Sequence, residues 1–175
     1  MKKIFLPIAL LFLISCDNKP TLQKYFVENS EKQGFISVDL ASSIINTDKI
    51  KLSKEEKTAI ESFEKMNILV LPTDSLQIKK YETETVKIKT ILKDEMYQEL
   101  MKFNKGNQGA AVYLIEENEK IDEFVFFASS KDTGLALVRV LGDDMNPNNI
   151  INMFSVIQKA DLNLEQLKPL QNLVK

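Results

Sequence analysis

The sequence has no histidine and no tryptophan, and among its 175 residues there is one cysteine, Cys16, and one arginine, Arg139. Without histidine, the side chain whose ordinary pKa lies nearest neutrality is missing, and with it His-based triads and His-dependent proton transfer. A lone cysteine cannot close an intrachain disulfide, and a zinc site made from His and Cys lacks donors. Five glycines and five prolines are too few for a low-complexity chain. No glycine-rich phosphate loop is present, and neither a cofactor nor a metal is expected. With 23 Lys and Arg against 25 Asp and Glu, the chain has no basic excess with which to hold nucleic acid.

What is present begins at the first residue. Lys2 and Lys3 precede an apolar run from Ile4 to Ile14, followed by Ser15 and Cys16. Eleven residues span about 16 Å as a helix, whereas a bilayer core needs about 20. A basic start, a short apolar stretch and a small residue before the cut are the pattern of a removed export signal. Leu13-Ile14-Ser15-Cys16 resembles the lipobox of bacterial lipoproteins. The resemblance implies diacylglyceryl transfer to the Cys16 sulfur and cleavage before it, the plainer alternative being an ordinary cleaved signal. Two or more acyl chains anchor stably where one does not. The expected organisation is a signal peptide over 1–15, a short lipidated tether over 16–20 and one globular domain over 21–175. The mature chain loses Lys2 and Lys3, leaving 21 basic against 25 acidic side chains. Its 160 residues suffice to bury about 70% of the unfolded surface.

Periodicity predicts an α+β fold, a mainly antiparallel sheet with a C-terminal three-strand meander and helices packed against it. Thr21 reads as the N-cap of a helix to about Lys32, stopped by Gly34. Phe35 to Leu40 reads as a strand, with a short helical turn at Ala41 to Asn46. Ser53 and Glu56 have capping-box spacing and open a helix from Lys54 to Met66. The run Ile68 to Leu71, stopped by Pro72, has the character of a buried strand. Residues 75–92 are read as helical, though the alternation over Thr83 to Thr90 leaves a strand open. Asp94 is expected to cap a second helix bearing Met96, Tyr97, Leu100, Met101 and Phe103. Ala110 to Glu116, Ile121 to Ser129 and Gly134 to Leu141 read as strands joined by short polar turns, hence antiparallel. Being apolar on both faces, they require cover on both sides. Gly142 to Pro147 reads as a turn before a last helix, Asn148 to Lys159, and Pro169 breaks any long helix in the tail.

Three stretches carry a further resemblance: Phe35-Ile36-Ser37-Val38, Tyr97-Gln98-Glu99-Leu100-Met101, and the block from Ala111 through Ile121-Asp122-Glu123-Phe124-Val125 to Val140-Leu141-Gly142. Over about residues 21 to 160 the chain resembles an uncharacterised domain-of-unknown-function family of small lipoproteins from Bacteroidota. That implies a lipidated envelope protein and supplies no catalytic residues.

Several local patterns point to sites. Arg139, a cation in an apolar strand, must be paired or exposed. It is expected to bridge to Glu123 or Asp122 on the neighbouring strand, the sharper alternative being a grip on an anionic ligand or partner. Glu116 with Asp122 and Glu123 has the makings of a carboxylate cluster. Ser62-Phe63-Glu64-Lys65 matches a Ser-x-x-Lys spacing but sits late in its helix. Asp144-x-Asn146-x-Asn148 begins like a calcium loop, but Asn149 and Ser155 stand where Gly and Glu are needed, so a turn and helix cap is the better reading.

The expected function is a non-enzymatic interaction module, held to the membrane by lipid on Cys16 and engaging an envelope protein partner. In the lipoproteins it resembles, surface display goes with an acidic run after the cysteine; Asp17-Asn18-Lys19 lacks one, so the resemblance implies the periplasmic side of the outer membrane. A carrier of an apolar small molecule or lipid is the alternative, and a carboxylate-based enzyme a third.

Overall fold

The computed structural model describes residues 19–73 and 77–162. The signal peptide, Cys16 and the tail with Pro169 lie outside the described residues.

Thr21 caps the first helix, α1 (Leu22–Asn29), its hydroxyl accepting from the Lys24 N–H. The chain then forms β1 (Ile36–Ala41), a 3-10 turn (Ser42–Ile44) and a short β2 (Ile45–Asn46). Helix α2 (Lys54–Ser62) opens on the expected capping box, with Ser53 and Glu56 satisfying each other's backbone N–H groups. It ends four residues earlier than periodicity predicts. Phe63 adopts extended angles and begins β3 (Phe63–Pro72), so Phe63 and Met66 belong to the sheet. Thr83 to Thr90 is helical, inside α3 (Ile78–Ile91).

The helix expected after Asp94 is absent, and its residues form strand β4 (Gln98–Lys105). It continues into the meander β5 (Gln108–Glu117), β6 (Lys120–Ser130) and β7 (Gly134–Met145). The β5–β6 link is two residues, Asn118 and Glu119, both at positive φ. That is the hairpin turn whose twist matches the flanking strands. The turn expected at Gly142 to Pro147 is shorter than predicted, because β7 runs on to Met145. Asn146 then caps α4 (Pro147–Lys159), and β8 (Asp161–Leu162) pairs with β2.

Six strands make one antiparallel sheet in the order β1-β3-β7-β6-β5-β4. On its first face Leu69, Val125, Phe127 and Leu137 meet Leu22, Tyr25 and Phe26 of α1 and Tyr81, Ile88 and Ile91 of α3. On its second face Val38, Leu40, Phe124 and Val140 meet Ala59 of α2 and Ile150, Met153 and Val156 of α4. Alternating side chains of β6 and β7 thus enter two different cores, which is why these strands are apolar throughout.

Candidate interaction surface

Among the described residues, the helices of the second face do not reach the end of the sheet where β4 turns into β5. There the register aligns Phe103, Ala110, Ala128, Ala136, Val70 and Ile36 in one row across all six strands. Three alanines in the middle and larger residues at the ends make a shallow floor. Phe103, the three alanines and Val70 of this row, with Pro72, line an open trough of about 600 Å³. The next row is Met101, Val112, Phe126, Val138, Ile68 and Val38, also wholly apolar.

β4 closes this floor on one side and is the outermost strand of the sheet. All eight of its residues are exposed, with Leu100 at 48%, Met101 at 64% and Phe103 at 53%. Its start is fixed by buried Tyr97, whose hydroxyl accepts the Leu22 N–H at 3.0 Å. The pairing with β5 slips by one residue between Glu99 and Met101. Glu99 and Lys102 therefore share the first face, opposite Tyr113 and Ala111, and Met101 and Phe103 share the second. The Glu99 carboxylate accepts from Lys102 Nζ at 3.1 Å and from the Tyr113 hydroxyl at 3.2 Å. That hydrogen bond holds the Lys102 pKa above its ordinary value. Burial first, then the Glu99 charge, raises Tyr113. Beyond β4 no strand takes up its outward N–H and C=O groups among the described residues, which makes it a template for another chain.

Arg139 lies in the first-face core. Its Nε and Nη2 donate to Oε1 and Oε2 of Glu123, both at 2.6 Å, with both residues buried. The remaining nitrogen, Nη1, donates to Gln23, and the guanidinium lies 5.6 Å from the centre of the Phe26 ring. All three sides of the fork are occupied by the protein itself, an internal clamp joining β6, β7 and α1. Asp122 sits half-buried at a register shift and forms no bond with Arg139, and Glu116 is exposed. The carboxylates are not gathered into a cleft. Among the described residues no three acidic side chains converge to hold a metal.

The other patterns resolve locally. Ser62 donates to the Ala59 carbonyl at 3.0 Å and accepts from Asn149 at 2.9 Å, tying α2 to α4. Asn146 accepts from the Asn149 N–H as a helix cap, while Asp143 and Asp144 flank Lys120 at 4.0 and 3.9 Å.

One buried polar group escaped the sequence reading. Glu84, in the apolar stripe of α3 between Tyr81 and Ile88, accepts from Tyr25 Oη and Lys87 Nζ, both at 2.8 Å. A carboxylate at helical spacing from two core residues was the available signal. Burial acts to raise its pKa, but the hydrogen bonds from Lys87 and Tyr25 outweigh it and hold the carboxyl below its ordinary value. Tyr25 is pushed far up, first by burial and then by Glu84.

A second groove, about 570 Å³, runs between α1 and α3, and Pro20 lines it with Lys24, Val86 and Thr90. Pro20, near the first described residue, thus lies on the first face. No described helix is long and apolar enough to cross a membrane.

No curated protein and no solved structure matches the chain significantly. A family model does match, over residues 25–153, from just inside α1 to the middle of α4 and so across the whole six-stranded sheet. The chain belongs to DUF4252, a domain of unknown function.

Proposed function

We propose that this chain is a membrane-tethered, non-enzymatic binding module of the envelope, facing the periplasm from the outer membrane. In this reading β4 receives an extended segment of a protein partner. The observation that carries it is an edge strand of eight exposed residues, three of them large and apolar, beside an apolar floor that none of the described residues covers. Strand addition draws affinity from main-chain hydrogen bonds and specificity from alternate side chains, and β4 offers both. The lipobox-like Leu13 to Cys16 and the short link to Thr21 support the tether. The closed Arg139–Glu123 clamp supports a structural role for the residues that an enzyme would have needed.

Two measurements test this. Palmitate labelling and fractionation of wild type against Cys16→Ser should show labelled, membrane-bound protein only in the wild type. A photo-crosslinking residue at Phe103 should yield a discrete protein adduct in intact cells, and one at Glu55 on α2 should not. An unlabelled wild type, or indistinguishable patterns from the two positions, refutes the proposal.

The second reading, a carrier of an apolar ligand, is favoured by the trough itself, with Val70, Phe103 and three alanines in one row. Native mass spectrometry showing bound lipid that disappears on Ala128→Arg would favour it.

A further inference from the structure

We propose that the strand added to β4 is β4 of a second copy, paired antiparallel about a two-fold axis normal to the sheet. This names the partner in the reading above and rests on it. An axis of that kind keeps like faces of the two sheets together, so each residue must oppose one from its own face. Opposing Leu100 to Met101 meets this condition on both sides of the β4 slip. It sets Gln98 against Phe103 on the second face and Glu99 against Lys102 on the first, each twice.

Charge selects this register. Glu99 and Lys102 are already in contact within one strand, so the pairing brings four charges of alternating sign together on one face. Alternatives that keep like faces together but oppose Lys102 to itself, or Glu99 to itself, place like charges directly across and are destabilised. Lys102, Lys105 and the slip at Leu100 discourage arbitrary strands. The strand's own copy supplies the complement.

Two further features agree. The row Met101, Val112, Phe126, Val138 would meet its counterpart and continue the apolar floor into a twelve-stranded sheet. The axis also leaves both α1 helices, and with them both Pro20 residues, on one side, as two copies tethered to one membrane would require. Confinement to one surface raises the effective concentration of each copy for the other.

The test uses the full-length chain in its own envelope, with a photo-crosslinking residue at Leu100 and mass spectrometry of the adduct. The expected adduct is two copies of this chain. Glu99→Lys alone and Lys102→Glu alone should each lower its yield several-fold, since each variant places two like-charge pairs directly across the two-fold axis. Coexpressing the two variants should restore it, because each then opposes a complementary charge. Restoration also excludes a folding defect. An adduct with a different protein overturns the second-copy proposal and leaves β4 as a binding edge. A two-copy adduct insensitive to the charge changes overturns the register, and no adduct at all refutes both readings.

Discussion

Substituting Glu123 tests whether the Arg139 clamp is as dry as the structure shows. Arg139 and Glu123 are 7% and 5% exposed, joined by two 2.6 Å hydrogen bonds. Removing one partner of such a pair leaves an uncompensated buried charge and costs about 3–5 kcal/mol. Glu123→Leu and Arg139→Met should each lose that much. In a domain of this size it corresponds to roughly 6–20 °C in Tm. The double variant removes both charges and retains volume, so it should regain most of the loss and end within about 1 kcal/mol of wild type. Gln23, which is exposed, exchanges the lost donor for water. Urea denaturation of a chain of residues 19–175 at neutral pH, followed by circular dichroism, supplies the four free energies. A Glu123→Leu cost below about 1 kcal/mol, the range of surface pairs, would refute the reasoning. So would a double variant no more stable than the worse single one.

Three other outcomes follow from the same structure. Thr85 Oγ1 is the one buried side-chain polar atom without a partner among the described residues, so Thr85→Val should gain about 1 kcal/mol; a loss in the urea midpoint would contradict this. A Cβ at Gly142 would lie 1.9 Å from the Ser62 carbonyl oxygen, where α2 passes into β3. Gly142→Ala should therefore cost about 1–3 kcal/mol, and an unchanged midpoint would show that the strands separate freely there. Glu84, and likewise Glu56 (held down first by its hydrogen bond from Lys159, then by the Ser53 N–H), have depressed folded-state pKa values. Their stabilisation is complete above the unfolded carboxyl value of about 4.3 and is lost as pH falls through the folded values. At the alkaline end the raised Tyr25 reverses the sign, favouring the native state below about pH 10 and losing that contribution as pH rises further. Urea midpoints against pH should fall at both ends, with Glu84→Gln flattening the acid limb and Tyr25→Phe the alkaline one; superimposable curves would count against the network.

Where burial imposes a period, the sequence was legible. The capping box at Ser53, the helix cap at Thr21 and the three apolar strands of the meander all lie where pattern places them. β4 was misread as a helix because Met96, Tyr97, Leu100, Met101 and Phe103 fall at helical spacing. An edge strand exposed on both sides has no buried face to force alternation, and its one-residue slip at Leu100 scrambles what remains. α2 was drawn too long because Phe63 and Met66 fit its stripe, yet they are recruited by pairing with β7 and β1. Tertiary partners decided both cases. The site followed the same division: the Arg139 and Glu123 pairing was readable from strand adjacency, whereas Gln23, 116 residues away in sequence, and the Tyr25–Glu84 bond were not. The β4 surface was invisible because the misread helix hid it.

Pro20 and the alanine floor lie on opposite sides of the sheet. Under the proposed Cys16 tether, a short leash on the α1 side would set lipid beneath that helix layer and leave the floor looking outward into water. Cargo or partner seated there would be exchanged through the aqueous space without first dissolving in the bilayer. In that arrangement docking and anchoring would be separated by the full thickness of the domain, and either could be altered by mutation while the other is left as it was.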